Sequence, residues 1–310
     1  MWTEFEEKSY EQYMNIELTF GHHLLPIGQK LEASCGFDAG LFTIHGQFWR
    51  YIQGEHKNLT RLYQIPYCTA EKIIDFIRGG EESIIFSTCE SLIRTTKSRF
   101  KFNTFIQYKR PQYLTNAKAR EWRYWYRPYY RYNIRRRQQQ LLEQLSQKVK
   151  AFAVVVYAAP AFYTWKDLLE NYRNGTLVKL SNFRKAEDLK GHRVFTYDQP
   201  GSSGRAFSEA SSFEDDFSFE KAISRLRRQA WGAEHFRTNS EFINYIAQIY
   251  ENVVLKMFPY NKRYQRIQRW ISEILDFPWQ ILQAEFPGVA GIYKLNLLSS
   301  ITNVRIFFGI

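Results

Sequence analysis

The chain has 310 residues, 45% of them hydrophobic and 17% aromatic, and a formal net charge of +12. That is enough apolar material for one large core or two modest ones, which excludes a chain too polar to fold alone. The positive surplus points to a polyanionic partner, because Lys and Arg that neutralise phosphates release condensed counterions. Three cysteines, Cys35, Cys68 and Cys89, are odd in number and show no Cys-x-x-Cys spacing, which argues for a reducing compartment and against a structural zinc site. No basic-then-apolar signal opens the chain, and its longest apolar run, Ala151 to Phe162, is too short to span a bilayer and contains Pro160. A cytoplasmic protein without a membrane anchor is the expectation.

In chain order, residues 2–16 interleave Glu4, Glu6, Glu7 and Glu11 with Trp2, Phe5, Tyr10, Tyr13 and Ile16, the spacing of an amphipathic helix; Glu17 follows directly. His22 and His23 are neighbours in a loop-like Phe-Gly-His-His and read as structural, since adjacent residues cannot easily ligate one metal. In the stretch from Leu31 to Phe42, the acidic residues Glu32 and Asp38 precede an apolar strand start. A segment around 46–98 reads as an insertion, with a helix from Thr69 to Arg78, capped by Thr69 and closed by Gly79-Gly80, and a short strand at Ser83–Ser87.

Lys101 to Pro111 predicts a strand. Residues two apart on a strand project together, so Gln107 and Lys109 share a face while Phe105, Ile106 and Tyr108 supply apolar bulk and Pro111 ends the run. Stability alone rarely places an ammonium in such a strand, because its desolvation costs several kcal/mol when unpaired. Between Ser91 and Arg137 there are fourteen Lys or Arg against one acid, Glu121, a surplus larger than that of the whole chain. Within this block Trp122, Tyr124, Trp125, Tyr126, Tyr129, Tyr130 and Tyr132 alternate with Arg120, Arg123, Arg127 and Arg131. Guanidinium groups contact phosphates and aromatic faces stack on bases, so the interleaving predicts a nucleic-acid groove; an aromatic core ridge with arginines reaching outward is the alternative. Arg110, Arg135, Arg136 and Arg137 extend the basic set.

Leu141, Leu142, Leu145 and Val149 give Gln138–Val149 helical periodicity, and the apolar run Ala151–Tyr157, bounded by Pro160, reads as a central strand covered on both faces. Short strands are expected at Leu177–Leu180 and Val194–Tyr197. His192, before the second of these, reads as structural. Residues Gln199–Asp216, rich in Gly, Ser, Pro and acids, read as a linker or loop whose glycines lack the lysine of a phosphate-binding loop. From Phe217 on the pattern is helical, clearest at Glu241–Met257 and Asn261–Phe277, before the apolar tail Val304–Phe308. This half is a candidate for dimer formation or for docking a partner protein.

Asp38 in Gly-Phe-Asp-Ala and Gln107-Tyr108-Lys109 together resemble the restriction-endonuclease-like PD-(D/E)xK nuclease superfamily in its QxK variant, over about residues 15 to 200. The resemblance implies an α/β fold with a mixed central sheet flanked by helices, a nuclease domain over 1–210 with the insertion, and a mainly helical C-terminal subdomain over 211–310. It implies a Mg²⁺ or Mn²⁺ ion held by Asp38, by Glu32 (with Glu17 as the alternative) and by the amide oxygen of Gln107, with the Tyr108 carbonyl as a possible further donor. Lys109 would orient or deprotonate the attacking water. The implied activity is phosphodiester hydrolysis, DNA foremost, in prokaryotic restriction or anti-phage defence, with a non-catalytic nucleic-acid-binding or scaffold subunit as the alternative. Asp38 and Gln107 are separated by 68 residues, which the insertion must span.

Overall fold

A computed structural model gives the fold and describes residues 1–22, 24–26, 94, 99–208, 211–214, 217–257 and 283–309. The chain divides into two units, one comprising Met1–Leu24, Phe102–Ala230 and Gly309, the other Leu25–Lys101, Trp231–Phe308 and Ile310. The architecture is mixed α/β, with two sheets and several helices. Glu32, Asp38, the cysteines, the helix expected at Thr69–Arg78, the strand at Ser83–Ser87 and the helix at Asn261–Phe277 lie outside the described residues.

The elements are α1 (Glu7–His22), β1 (Leu24–Pro26), β2 (Phe102–Tyr108), β3 (Gln112–Leu114), β4 (Tyr129–Asn133), α2 (Arg136–Val149), β5 (Ala153–Pro160), α3 (Trp165–Arg173), β6 (Ser181–Lys185), β7 (Val194–Tyr197), β8 (Gly204–Phe207), β9 (Ser211–Phe213), α4 (Phe219–Gln229), α5 (Trp231–His235), α6 (Asn239–Met257), α7 (Pro287–Thr302) and β10 (Arg305–Gly309).

In the first unit, β2 runs parallel to β5, Asn103 opposite Ala153 through Tyr108 opposite Ala158. β5 is antiparallel to β6, Val156 opposite Lys185 through Pro160 opposite Ser181. All seven residues of β2 are buried, so Phe102, Phe105, Ile106 and Tyr108 pack into the core while the polar Asn103, Thr104 and Gln107 are enclosed with them. The parallel pair requires a crossover, and α2 belongs to it: it buries Leu141, Leu142, Leu145 and Val149 and packs on β5.

The second sheet has the order β3-β4-β7-β8-β9 with every pair antiparallel. Its strands carry an aromatic layer in which Tyr130 lies 4.8 Å from Tyr113 and 5.3 Å from Tyr197, and Tyr132 lies 5.5 Å from Phe195, ring centre to ring centre. Tyr129, Tyr130 and Tyr132 are therefore core residues, and this part of the basic-aromatic block matches the core-ridge alternative, not the groove. β8 and β9 occupy the stretch read as a linker. Gly204 is needed there because β8 closes on β7 so tightly that a Cβ would sit 2.6 Å from the Thr196 carbonyl oxygen. Leu177–Leu180 forms a turn instead of a strand, and the strand begins at Ser181.

In the second unit α6 packs against α7. The close approach is made at Gly291, where a Cβ would meet Ile243 at 2.9 Å, and an ion pair joins the buried Lys294 Nζ to the half-buried Glu251 Oε2 at 2.7 Å. Phe236 lies 5.1 Å from Tyr245 and 5.4 Å from Phe242 in an aromatic cluster beside α5. Among the described residues no helix is long and apolar enough to cross a membrane.

Candidate functional site

Gln107 and Lys109 meet on one side chain. Gln107 is buried near the end of β2; its Nε2 donates to the Tyr108 carbonyl at 2.9 Å and its Oε1 accepts from Nε2 of Gln138. The Oε1 of Gln138 in turn accepts from Lys109 Nζ at 2.7 Å. Gln138 stands in the first turn of α2, so the amide of one helix residue clamps both members of the Gln-x-Lys pair. The backbone of Lys109 extends the ladder, donating to Ala158 at 2.9 Å, and its ammonium lies 5.2 Å from the centre of the Tyr157 ring. Tyr157 is itself fixed, its hydroxyl donating to Gln139 Oε1 at 2.8 Å while Gln139 Nε2 donates to the Ala186 carbonyl at 2.7 Å.

Lys109 is only 8% exposed and among the described residues no carboxylate forms an ion pair with it. Burial lowers its pKa to about 8, with Glu7 opposing the shift and Arg135 adding to it. Such a lysine carries a proton it can release near neutral pH. Glu7, in the first turn of α1, has a further task, since its Oε2 accepts from the backbone N–H of Arg110 at 3.3 Å.

Glu17 is placed differently. It is buried and its two carboxylate oxygens accept the backbone N–H groups of Leu177 and Val178 at 2.8 and 2.9 Å, which closes the 177–180 turn. Among the described residues no cluster of three or more His, Cys, Asp or Glu could hold a metal ion. At the Gln107 end these residues offer an amide oxygen already bonded to Gln138, so they do not form a complete metal site. The carboxylates expected to complete it, Asp38 and Glu32, lie outside the described residues.

The basic residues separate into three groups. Arg110 is occupied in holding the start of the chain: its guanidinium donates to the Thr3 carbonyl and pairs with Glu6 Oε1, each at 2.7 Å, and lies 5.7 Å from the Trp2 ring. Arg131, half-buried, lies 3.5 Å from Glu121 Oε2, and Arg127 pairs with Asp198. Arg135, Arg136 and Arg137 are exposed around the start of α2. Arg120 and Arg123 line an open cleft of about 600 Å³ together with Glu121, Tyr124, Gly191, Arg193, Val194, Phe207 and Ser208.

Trp122–Tyr124 forms a single 3₁₀ turn at this cleft. The turn is pinned to the sheet by Trp125 Nε1, which donates to Thr196 Oγ1 at 3.0 Å. Tyr124 and Phe207 lie 5.1 Å apart. The Arg123 guanidinium sits 4.9 Å from the Tyr124 ring and that of Arg205 sits 5.6 Å from Trp125. Glu121 is buried and accepts the Tyr129 hydroxyl at 3.1 Å; the burial of Tyr129 itself, then the charge of Glu121, pushes that phenol up to about 12.

Sequence reasoning missed Gln138, Arg193 and Phe207. Gln138 carried a usable signal, since it stands three and four positions before Leu141 and Leu142 on the inward face of α2. Arg193 carried none, as an isolated basic residue before a strand. His192 packs its ring edge-on at 6.3 Å from Phe213, a structural setting. No family model, no curated protein and no solved structure matches the chain.

Proposed function

We propose that the protein is a divalent-metal-dependent nuclease that hydrolyses phosphodiester bonds, with DNA as its main substrate and a cytoplasmic role in prokaryotic restriction or anti-phage defence. One observation carries this reading: Lys109, buried without a carboxylate in ion-pair contact among the described residues, is held with Gln107 by Gln138 beside the start of α2. Burying an ammonium this way costs several kcal/mol, and a fold gains nothing in stability from doing so. A lysine with its pKa near 8 suits proton transfer to or from water at the reacting phosphate. Its remaining charge would stabilise negative charge developing on the phosphoryl oxygens.

A bound Mg²⁺ or Mn²⁺ would acidify a water and neutralise phosphate charge. Asp38 and Glu32 are the residues proposed to hold it, with Gln107 contributing its amide oxygen. Gln138 positions both Gln107 and Lys109. A second reading, a nucleic-acid-binding subunit without hydrolysis, draws on the arginine-lined cleft. The two separate in one experiment: purified protein is incubated with plasmid, linear DNA, single-stranded DNA and RNA in Mg²⁺, Mn²⁺ or EDTA. Cleavage that needs the metal and is lost in Lys109→Met, with binding in EDTA unchanged, supports the nuclease. Wild-type cleavage by the folded variant refutes the role of Lys109, and binding without cleavage in any metal favours the second reading.

A further inference from the structure

We propose that the cleft between the Trp122–Tyr124 turn and strands β7 and β8 is a binding site for single-stranded nucleic acid, with a base stacked on Tyr124 and phosphates held by Arg120, Arg123 and Arg193. The inference rests on the reading that nucleic acid is the substrate, and it names the strandedness and the residues that select for it.

Three features of the cleft carry it. The first is charge. Three guanidinium groups line one concavity; among the described residues Glu121 is the one acid there, and that acid is buried, accepting the Tyr129 hydroxyl and facing Arg131. Its charge is spent locally, so the described lining presents net positive charge to solvent, the electrostatic footprint of a phosphate-binding surface.

The second is the pair of rings. Tyr124 and Phe207 are only half-buried although both belong to a unit that buries most of its other aromatic residues. Tyr124 lies beneath the exposed Arg123 guanidinium, 4.9 Å from its ring, and a half-exposed ring covered by a surface arginine becomes a stacking platform when that arginine swings out to a phosphate; only an unpaired base can reach it, because a duplex keeps its base faces against one another. Tyr126, two positions after Tyr124 in the chain, is 79% exposed on a backbone with φ of 53°, a conformation that non-glycine residues seldom adopt.

The third is size and rigidity. A volume of about 600 Å³ is that of a small-ligand pocket, room for a short unpaired stretch and not for a double helix. Its walls are strands and a turn tied to them by the Trp125–Thr196 bond and the Arg127–Asp198 pair, so little ordering remains to oppose binding.

The test is fluorescence anisotropy in EDTA, which keeps binding separate from hydrolysis, using a short fluorescein-labelled oligonucleotide as single-stranded DNA, single-stranded RNA and the corresponding DNA duplex. Single strands are expected to bind at least about tenfold more tightly than the duplex, and the DNA and RNA arms decide the sugar. Tyr124→Ala should weaken single-strand binding by roughly 5- to 100-fold, as for loss of one stacked base, with the salt dependence unchanged. Arg193→Ala should weaken it and lower the slope of log K against log salt by about 0.7, one phosphate on a single strand. Tyr124→Phe should restore binding. Duplex binding as tight as single-strand binding, or wild-type affinity in Arg193→Ala, whose exposed side chain can be removed without unfolding the sheet, overturns the proposal. Metal-dependent cleavage abolished by Lys109→Met but untouched by the cleft variants would remove the cleft from the reaction and leave the nuclease reading standing.

Discussion

Replacing Lys109 with Met keeps the length and apolar stem of the side chain and removes its charge. In the folded chain the ammonium titrates at about 8, against an ordinary 10.5, so between these values the unfolded chain binds the extra proton and folding is favoured by raising the pH. Below about pH 8 the buried charge costs on the order of 3 kcal/mol, from 1.36 kcal/mol per pKa unit. By the same relation the cost falls to about 1 kcal/mol at pH 10, so the wild type should gain about 2.5 kcal/mol on the Met variant between pH 7 and 10.

Urea denaturation of both proteins across that range measures the difference. Comparing the two cancels the tyrosines. Burial raises the pKa of Tyr10, Tyr157 and Tyr197 above the ordinary 10.0, so the stability they contribute is complete below pH 10 and is lost above it in both chains. Curves that stay parallel from pH 7 to 10 would show that Lys109 is solvated and carries an ordinary ammonium.

Glu17→Ala should destabilise the fold by about 3 kcal/mol in urea denaturation, because two backbone N–H groups lose a charged acceptor, while specific cleavage by the folded fraction stays unchanged. Loss of cleavage with full stability would instead make Glu17 a metal ligand. Arg136→Glu puts an acid into the first turn of α2 and should raise stability by about 0.5 to 1 kcal/mol at low salt, an effect that shrinks as salt is added.

Strand β2, strand β5 and the inward face of α2 were legible in the sequence because each carries its own period: a buried run bounded by proline, or leucines three and four apart. The turn at Leu177–Leu180 was not. Its apolar residues read as a strand, and what bends them is a carboxylate some 160 positions away, Glu17, taking the amides of Leu177 and Val178. β8 and β9 were hidden for a different reason. Glycines and serines read as a linker, yet Gly204 is small so that β8 can lie close to β7, and β9 is a three-residue edge strand held by its pairing with β8 and by Phe213, whose ring lies 4.4 Å from the Arg184 guanidinium.

The site itself was half legible. Gln107 and Lys109 followed from strand alternation, and helical spacing to Leu141 and Leu142 singles out Gln138 from a run of three glutamines as inward-facing, but no spacing rule says that it clamps that pair. Among the arginines, sequence density could not separate Arg110, spent on Thr3 and Glu6, from Arg123, which faces the cleft. Only the sheet pairing brings Arg193 to the same concavity.

The charges at helix ends bear on why the start of α2 is exceptional. α3 follows the dipole rule, with Asp167 in its first turn and Arg173 in its last, and α4 follows it with Glu220 and then Arg227 and Arg228. α2 breaks it: Arg135 flanks its start, Arg136 and Arg137 open it, its first turn has no acid and its N-cap makes no side-chain bond. A cation near a helix N-terminus costs a few tenths of a kcal/mol to about 1 kcal/mol, and Arg135 also works against the charge of Lys109. The chain therefore has the means to cap and charge its helices favourably and does so twice. At α2 it accumulates basic groups beside a desolvated lysine. Local rules broken together at one place, while obeyed elsewhere in the same unit, mark a position shaped by what it acts on rather than by stability. The same logic explains why Arg136→Glu should improve the fold and impair its use: the acid satisfies the helix and repels the phosphate.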